Sequence, residues 1–259
     1  PAWPPLLALL QTLRLKVLAT PVDEQGALVP SEEWLNQASA VILTPRAHNP
    51  TGVSLSAARA WEWQQALAER ADTLLILDDH WGPLSNAPLT LSEAPQWLYV
   101  LSTSKMLGPD LRVALACGSP RLLQRMHQQQ LLGPRWVSWL LQRTAALLWN
   151  RLEQEGGLQH ISAQYHQRRT QLIQALQQRN VYVPFQGEGL HIWLPVNQES
   201  YALQSLASAG WAVQSGTPFQ ASRANAIRIS LGNVSSTEDI NALAEAIKIA
   251  VMPNGSALN

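Results

Sequence analysis

Cysteine is almost absent from this sequence, and its scarcity excludes several classes of protein. Cys117 is the only cysteine, so the chain can form neither an internal disulfide framework nor a metal site built from several thiolates, and we expect no metal. Within the apolar run Val113-Ala114-Leu115-Ala116-Cys117, this thiol is predicted to be a small core residue. Long apolar stretches and a signal sequence are missing too, which favours the cytoplasm and excludes a membrane protein.

Charge is the second scarcity. Charged residues make up 14% of the chain, against about a quarter in a typical soluble domain. The 18 basic and 18 acidic residues balance, so the chain offers no net field for nucleic acid and is not expected to contact DNA itself. The chain is 46% hydrophobic and has 11 tryptophans. This composition predicts an extensive core or a large oligomer interface.

Several glycine-dependent and metal-dependent motifs are also missing. The sequence has no P-loop, no dinucleotide-binding Gly-x-Gly-x-x-Gly turn, no His-Glu-x-x-His pair and no nucleophile elbow. The glycine-containing stretch Gly187-Glu188-Gly189 precedes a predicted strand, which is the wrong context for a phosphate loop. These absences argue against the corresponding nucleotide-binding and hydrolytic activities.

What the first half of the chain does contain is an alternation of helices with short apolar strands. The strands are predicted at residues 41–43, 74–77, 97–101 and 113–117, and a helix is predicted at 57–71 with Ser54 or Ser56 as its N-cap. This order is typical of an α/β fold with a mainly parallel sheet and helices on both faces. Ligands of such sheets bind at the carboxyl ends of the strands.

The second half begins with helices and ends in a small α+β arrangement. Residues 121–179 are predicted to be helical, with breaks near 133–134 and 156–157. Further strands are predicted at 181–185, 190–194, 211–213 and 227–231, before a final helix that begins at Ser235. The expected domains are a large α/β domain over residues 1–150, including a linking helix, and a small domain over 151–259.

Lys105 is the strongest candidate for chemistry. It ends the segment Ser102-Thr103-Ser104-Lys105, directly after the predicted strand at 97–101, and Arg112 follows in the same loop. A partly desolvated lysine can form a Schiff base with a carbonyl cofactor, and a nearby arginine and hydroxyls can bind a phosphate. The alternative is a solvated surface lysine, which describes most lysines.

Four further polar residues are candidates, each with a structural alternative. Asp78, after the strand at 74–77, could pair with a protonated ring nitrogen, or could cap a helix or join a loop ion pair. Asn49 has a free amide but belongs to an Asn-Pro-Thr-Gly turn. His80 could contact a cofactor oxygen or serve as an acid–base group, or it could be structural. Arg228 lies inside an apolar strand pattern, where a substrate carboxylate would be a suitable partner.

Taken in order, these motifs resemble the fold type I pyridoxal-phosphate enzymes, specifically the class I/II aminotransferases. The resemblance implies that pyridoxal 5'-phosphate is held as an internal aldimine on Lys105, with Asp78 on its pyridine nitrogen. Both residues would be catalytic in an active enzyme. The other implied cofactor contacts are an aromatic stack, a donor to the phenolic oxygen and a set of phosphate ligands, which correspond to Trp3, to Asn49, and to Ser102, Ser104 and Arg112. His80 stands where the family has a tyrosine on the cofactor oxygen, and Arg228 matches the arginine that binds the substrate α-carboxylate.

The residues of three motifs most resemble those of the MocR-type regulators of the GntR family, near the PtsJ branch. These motifs lie at residues 44–52, 78–80 and 105–112. Such regulators resemble a winged helix-turn-helix fused to an aminotransferase-like domain. The resemblance implies a homodimer that responds to an amine, an amino acid or a vitamer, and that contacts DNA only through a separate N-terminal domain. It also implies that the large domain lacks its N-terminal part here, including a glycine-containing phosphate loop.

Three hypotheses follow from the sequence. The first is the ligand-sensing domain of a MocR-type regulator. The second is an active aminotransferase that acts on an amino acid and a 2-oxo acid, with Lys105 as both Schiff-base residue and proton shuttle. The third is a structural or dimerisation domain without cofactor.

Overall fold

The structure, a computed structural model, describes residues 1–89, 94–220, 225–234 and 236–251. They form two compact units, and each is assembled from separate stretches of the chain. The sheet unit comprises Thr20–Ala47 and Ser54–Ala163, and the terminal unit comprises Pro1–Ala19, His48–Val53 and the stretch that begins at Gln164. No helix within the described residues is long and apolar enough to cross a membrane.

The helices and strands alternate along the first half of the chain, and helices dominate its middle. The strands are β1 (Val22–Asp23), β2 (Gly26–Ala27), β3 (Ala40–Leu43), β4 (Leu74–Asp79), β5 (Gln96–Ser102), β6 (Ala114–Gly118), β7 (His191–Pro195), β8 (Gln214–Ser215) and β9 (Ala226–Ser230). The helices are α1 (Pro4–Thr12), α2 (Glu32–Leu35), α3 (Ala57–Leu67), α4 (Ser104–Leu107), α5 (Pro120–Leu132), α6 (Trp139–Gln154), α7 (Gly157–Gln177), α8 (Glu199–Ser208) and α9 (Thr237–Val251). Single 3-10 turns lie at Gly82–Leu84, Pro109–Leu111 and Thr217–Phe219.

The sheet unit is built on four strands in the order β3-β4-β5-β6. The first three are parallel and β6 is antiparallel, so the predicted mainly parallel sheet is confirmed. The carboxyl ends of β3, β4 and β5 therefore share one edge of the sheet, and β6 begins at that edge because it runs the opposite way.

One face of this sheet packs on α3. Along β4, half-buried residues alternate with buried ones, and the buried leucines face the apolar cluster. Trp63 and Leu67 of α3 are buried in the same apolar cluster as Leu75 and Leu77 of β4. Ser56 caps the helix by accepting a hydrogen bond from the Arg59 N–H at 3.1 Å. The helix ends at Leu67 rather than at residue 71, because the chain turns through short-range hydrogen bonds before it enters β4.

Cys117 is exposed, so the prediction of a core cysteine is wrong. It belongs to β6, whose residues 114–117 are all exposed although they are apolar. The physical reason is packing: β3, at the other end of the sheet, contributes Val41 and Leu43 to the apolar cluster around α3, whereas no described residue of β6 belongs to that cluster. An apolar strand is buried only where another layer covers its faces.

The terminal unit contains an antiparallel sheet in the order β7-β9-β8. Its core combines this sheet with α7, α8 and α9 in one apolar cluster. Trp193 of β7 and Gln214 of β8 both lie opposite Arg228 of β9. This register leaves Arg228 in the middle of the three strands.

Predictions for the second half are partly confirmed. The helical region ends and resumes at the two predicted breaks, which separate α5, α6 and α7, and the strands at 190–194 and 227–231 are found one residue displaced. The segments 181–185 and 211–213 are not strands. Val181 and Val183 are buried and Tyr182 is exposed, so the alternation reports burial without a ladder partner. The final helix begins at Thr237, and the predicted start, Ser235, lies outside the described residues.

Candidate functional site

Six of the predicted site residues lie at the carboxyl edge of the central sheet. Asp78 is opposite Val100 in the β4–β5 register, and Ser102 is opposite Ala114 in the β5–β6 register, so the ends of these strands are neighbours. The six residues end β4 or β5, follow one of these strands or precede β6, and they are Asp78, His80, Ser102, Ser104, Lys105 and Arg112.

The loop that carries Lys105 is fastened to the sheet by Thr103. Thr103 is buried, and both its hydroxyl and its backbone N–H donate to the carbonyl of Val113, at 2.7 and 3.2 Å. Ser102 Oγ accepts a hydrogen bond from the Ser104 N–H at 3.3 Å. Lys105, on α4, is exposed. The loop is therefore anchored at its base while the lysine amine stays accessible.

Asp79, beside Asp78, has a structural role. Its fully buried carboxylate accepts hydrogen bonds from Arg46 and from the Tyr99 hydroxyl, and it also accepts one from the Gly82 N–H at 2.8 Å. The arginine balances the buried charge, as a buried carboxylate requires. Sequence reasoning missed Arg46 and Tyr99, because no local pattern links them to a carboxylate so distant along the chain.

Asp78 has the opposite character. Burial raises the pKa of its carboxyl, and the neighbouring Asp79 charge raises it further. Among the residues that the structure describes, it forms no ion pair. A carboxylate in this state would be stabilised by an incoming cation, and a protonated ring nitrogen is a cation of suitable size.

His80 is held in its neutral form. Burial lowers the pKa of its imidazole to about 4, the charge of Lys105 lowers it as well, and Asp79 opposes the shift. A neutral imidazole has one donor nitrogen and one acceptor nitrogen. It can therefore donate one hydrogen bond to a ligand oxygen, which is also the contact that a tyrosine hydroxyl makes.

The other predicted residues lie in the terminal unit, where Arg228 is the central group. Arg228 Nη1 donates to Asn49 Oδ1 at 3.0 Å, and the guanidinium lies 4.9 Å from the centre of the Phe219 ring. Arg228 Nε is buried and has no hydrogen-bond partner among the described residues. Burial lowers the pKa of Arg228 to about 10. A half-buried cation whose buried Nε has no partner among the described residues is suited to a carboxylate ligand.

Asn49 and Trp3 are both tied to this arginine's surroundings. Because Asn49 Oδ1 accepts from Arg228, its Nδ2 group retains both N–H bonds for donation. Trp3 precedes α1, and its side chain is 49% exposed. The neighbouring Ala2 N–H donates to the Phe219 carbonyl at 2.7 Å, which ties the Trp3 segment to the residue whose ring faces Arg228.

Taken unit by unit, the side chains suit pyridoxal phosphate. The sheet unit supplies a partly buried carboxylate, an accessible amine, two serine hydroxyls and an arginine. The terminal unit supplies an amide donor, a half-buried arginine whose Nε pairs with none of the described residues, and an exposed indole. These are the groups that a cationic ring nitrogen, an aldehyde, a phosphate, a phenolic oxygen and a carboxylate require.

The sequence as a whole matches a known family. The sequence profile of aminotransferase class I and II matches residues 1–247, so the chain belongs to that family. Membership implies pyridoxal 5'-phosphate as the cofactor.

Two curated relatives are described as transcriptional regulators. The vitamin B6 salvage pathway transcriptional repressor PtsJ of Salmonella typhimurium is 38% identical over 237 residues, covering 89% of this chain and 55% of the relative. The uncharacterized HTH-type transcriptional regulator YdfD of Bacillus subtilis is 26% identical over 250 residues, covering 90% of this chain and 51% of the relative. The chain thus spans about half the length of these relatives.

Solved structures agree on the fold. LysN, an α-aminoadipate aminotransferase from Thermus thermophilus that was solved with N-(5'-phosphopyridoxyl)-L-leucine, superposes with a TM-score of 0.83. The match covers 96% of this chain and 70% of that one at 21% identity. At this identity the likeness shows the fold alone.

Proposed function

We propose that this chain is the pyridoxal-phosphate-binding, aminotransferase-like effector domain of a MocR-type transcriptional regulator. The observation that carries the cofactor half of the proposal is the common sheet edge of Asp78 and Lys105. The regulatory half is supported by the two curated relatives described as regulators. DNA would be contacted only by a separate N-terminal domain, and the protein would act in the cytoplasm.

The residues divide the work of holding the cofactor. Pyridoxal phosphate supplies, when bound, an aldehyde that condenses with amines and a ring that withdraws electrons. Lys105 Nζ would hold the aldehyde carbon covalently, with loss of water, and Asp78 would keep the ring nitrogen protonated. The phosphate would be bound by Ser102, Ser104 and Arg112.

The remaining groups would orient the ring and its ligand. Asn49 Nδ2 and the neutral His80 would donate to ring oxygens, and Trp3 would stack on the ring. Arg228 would bind the carboxylate of an amino acid. A free vitamer or an amine that competes with Lys105 would change the balance between two conformations of the domain, which is the basis of sensing. A homodimer is part of this proposal.

The first test identifies the lysine that carries the cofactor. Lys16 and Lys248 are the only other lysines of the chain, so reduction with borohydride and peptide mapping can assign the cofactor adduct to one of three positions. We expect the adduct on Lys105, and a visible absorption band that Lys105→Ala loses and Lys248→Ala retains. An adduct at all three lysines would contradict a specific site, and no uptake at all would favour the structural-domain hypothesis.

The second candidate function is an active aminotransferase. It is favoured by Arg228 Nε, which has no hydrogen-bond partner among the described residues, because a substrate carboxylate would pair there. The test is a single turnover: the loaded protein is mixed with amino acids, and formation of the 2-oxo acid is measured. Turnover that depends on both Lys105 and Arg228 would establish the enzyme. A change in absorption without 2-oxo acid release would favour sensing.

A further inference from the structure

Arg169 is a buried cation that binds main-chain oxygens instead of a carboxylate. Its side chain extends from α7, and the residue is 1% exposed. It donates to four carbonyl groups, those of Thr51, Phe185, Gln186 and His191. Burial lowers the pKa of its guanidinium to about 10, and the charge of Glu188 opposes the shift. An arginine desolvated to this extent is retained only where its donors are used.

The four acceptors come from two separate segments. Thr51 belongs to the loop at 48–53, which we term the Asn49 loop, and the other three acceptors lie within residues 185–191, which lead into β7. The two segments also meet directly, since the Glu188 N–H donates to the Gly52 carbonyl at 2.7 Å. A Cβ atom on Gly187 would lie 2.0 Å from that same carbonyl oxygen. The Asn49 loop therefore packs backbone against backbone, with Arg169 at the junction.

This junction determines what the Asn49 side chain faces. Arg169 ties the loop to β7 at His191, and β7 pairs with β9, where Trp193 lies opposite Arg228. Asn49 and Arg228, which share a hydrogen bond, are thus both held to the same sheet. Arg228 is held by the strand register, and the loop of Asn49 is held by Arg169.

We propose that Arg169 is a positioning residue that sets the distance between Asn49 and Arg228. The inference rests on the proposed function in one respect, namely that Asn49 and Arg228 bind cofactor and carboxylate. A lysine cannot substitute, because its single ammonium group cannot reach four carbonyls that surround a planar guanidinium. Arg169→Lys therefore preserves the charge while it releases the loop.

Hydrogen exchange of the protein without cofactor tests the loop directly. We expect exchange of the Glu188 amide to become about tenfold faster or more in Arg169→Lys, because its hydrogen bond to the Gly52 carbonyl persists only while the Asn49 loop stays packed. Arg168→Lys is the matched control, since within the described residues Arg168 donates an exposed hydrogen bond of 3.3 Å to the Gly232 carbonyl and lies over the Tyr165 ring. Unchanged protection in Arg169→Lys would overturn the proposal.

Cofactor binding tests the coupling to Asn49. Asn49→Ala and Arg169→Lys should each weaken pyridoxal phosphate binding and shift the pH at which its visible band changes, because a donor to the phenolic oxygen is lost. The double variant should be no weaker than Asn49→Ala alone, since residues that act through one contact are not additive. Additive losses would overturn the positioning role. If the wild-type protein takes up no cofactor, the proposed function fails and the exchange result alone decides the role of Arg169.

Discussion

Asp78 and Asp79 are adjacent on β4, but their carboxylates lie in different environments. Successive side chains of a β-strand point to opposite faces, so Asp79 is directed into the unit and Asp78 is not. Asp79 is neutralised by Arg46 and hydrogen-bonded by Tyr99 and Gly82. Asp78 has only the burial and the neighbouring charge that raise its pKa. Asp79 thus stabilises the end of the strand, and Asp78 is the carboxylate that the proposed function pairs with the ring nitrogen.

The lowered pKa of His80 leads to a prediction of how the stability of the protein depends on pH. Its pKa is about 4 in the folded protein and about 6.5 when unfolded, so the unfolded chain takes up this proton first as the pH falls. The contribution of the neutral imidazole to stability is fully present above pH 6.5. It is lost between pH 6.5 and 4, where the free energy of unfolding falls by on the order of 3 kcal/mol. The measurement is the free energy of urea unfolding, without cofactor, across this range.

The comparison that isolates His80 is with His80→Gln, which should remove this part of the pH dependence. The difference between the two proteins cancels the contribution of Asp78, whose raised pKa acts in the opposite sense as the pH falls. His127→Gln, at an exposed position, serves as the control. Equal pH dependence in wild type and His80→Gln would show that the imidazole is not buried in its neutral form.

At the scale of secondary-structure elements, the connection from β5 through α4 to β6 supports Lys105. It is a short helix of four residues, too short to be stable by its own hydrogen bonds. Its fixed point is the bond from the buried Thr103 hydroxyl to the Val113 carbonyl. The position of Lys105 therefore depends on a side chain that precedes the helix.

We predict that Thr103→Val destabilises the protein by about 1 kcal/mol, the usual net value of one hydrogen bond. The carbonyl of Val113 keeps its second donor, the Thr103 N–H, so a larger loss is not expected. Thr103→Ser retains the hydroxyl and should lie closer to wild type in urea unfolding. If serine and valine were equally destabilising, lost packing rather than the lost hydrogen bond would explain the effect.

At the scale of the whole molecule, the surface of α5 and α6 is unusually apolar. Trp136 lies between the two helices, and Trp139 and Leu140 begin α6 with 76% and 73% of their surface exposed. A cavity of about 690 Å³ is lined by residues of β6, α5 and α6. Clustered apolar side chains of this size mark association surfaces in soluble proteins, and the low charge of the chain agrees with that interpretation.

We predict that this surface contributes to the proposed homodimer. Replacing Trp139 and Leu140 together by glutamine should shift the protein from dimer toward monomer in sedimentation velocity, because the lost apolar burial weakens association. Trp61→Gln, which changes an exposed tryptophan on α3, should leave the dimer intact. A wild-type protein that sediments as a monomer at micromolar concentration would contradict the dimer, and a dimer unaffected by the double substitution would exclude this surface.

The resemblance to aminotransferases could be found from the sequence because its signals are local. Short apolar runs mark β3, β4 and β5, and the polar residues of interest directly follow them. The parallel arrangement then places those residues at one edge without further information. The breaks between α5, α6 and α7 were also visible, since glycine and proline interrupt helices wherever they occur.

Tertiary structure decided the features that depend on partners far away in the chain. The apolar run that contains Cys117 predicted burial, yet the β6 residues 114–117 are exposed and lie outside the apolar cluster that includes β3. The alternation at 181–185 reported burial without strand pairing. Arg169 looks in the sequence like its partly buried neighbour Arg168. Only the approach of two separate segments, residues 48–53 and 185–191, surrounds it with carbonyl oxygens. Local periodicity indicates which side chains turn inward, whereas the pairing of a strand and the partners of a buried charge depend on which distant backbone the fold brings to them.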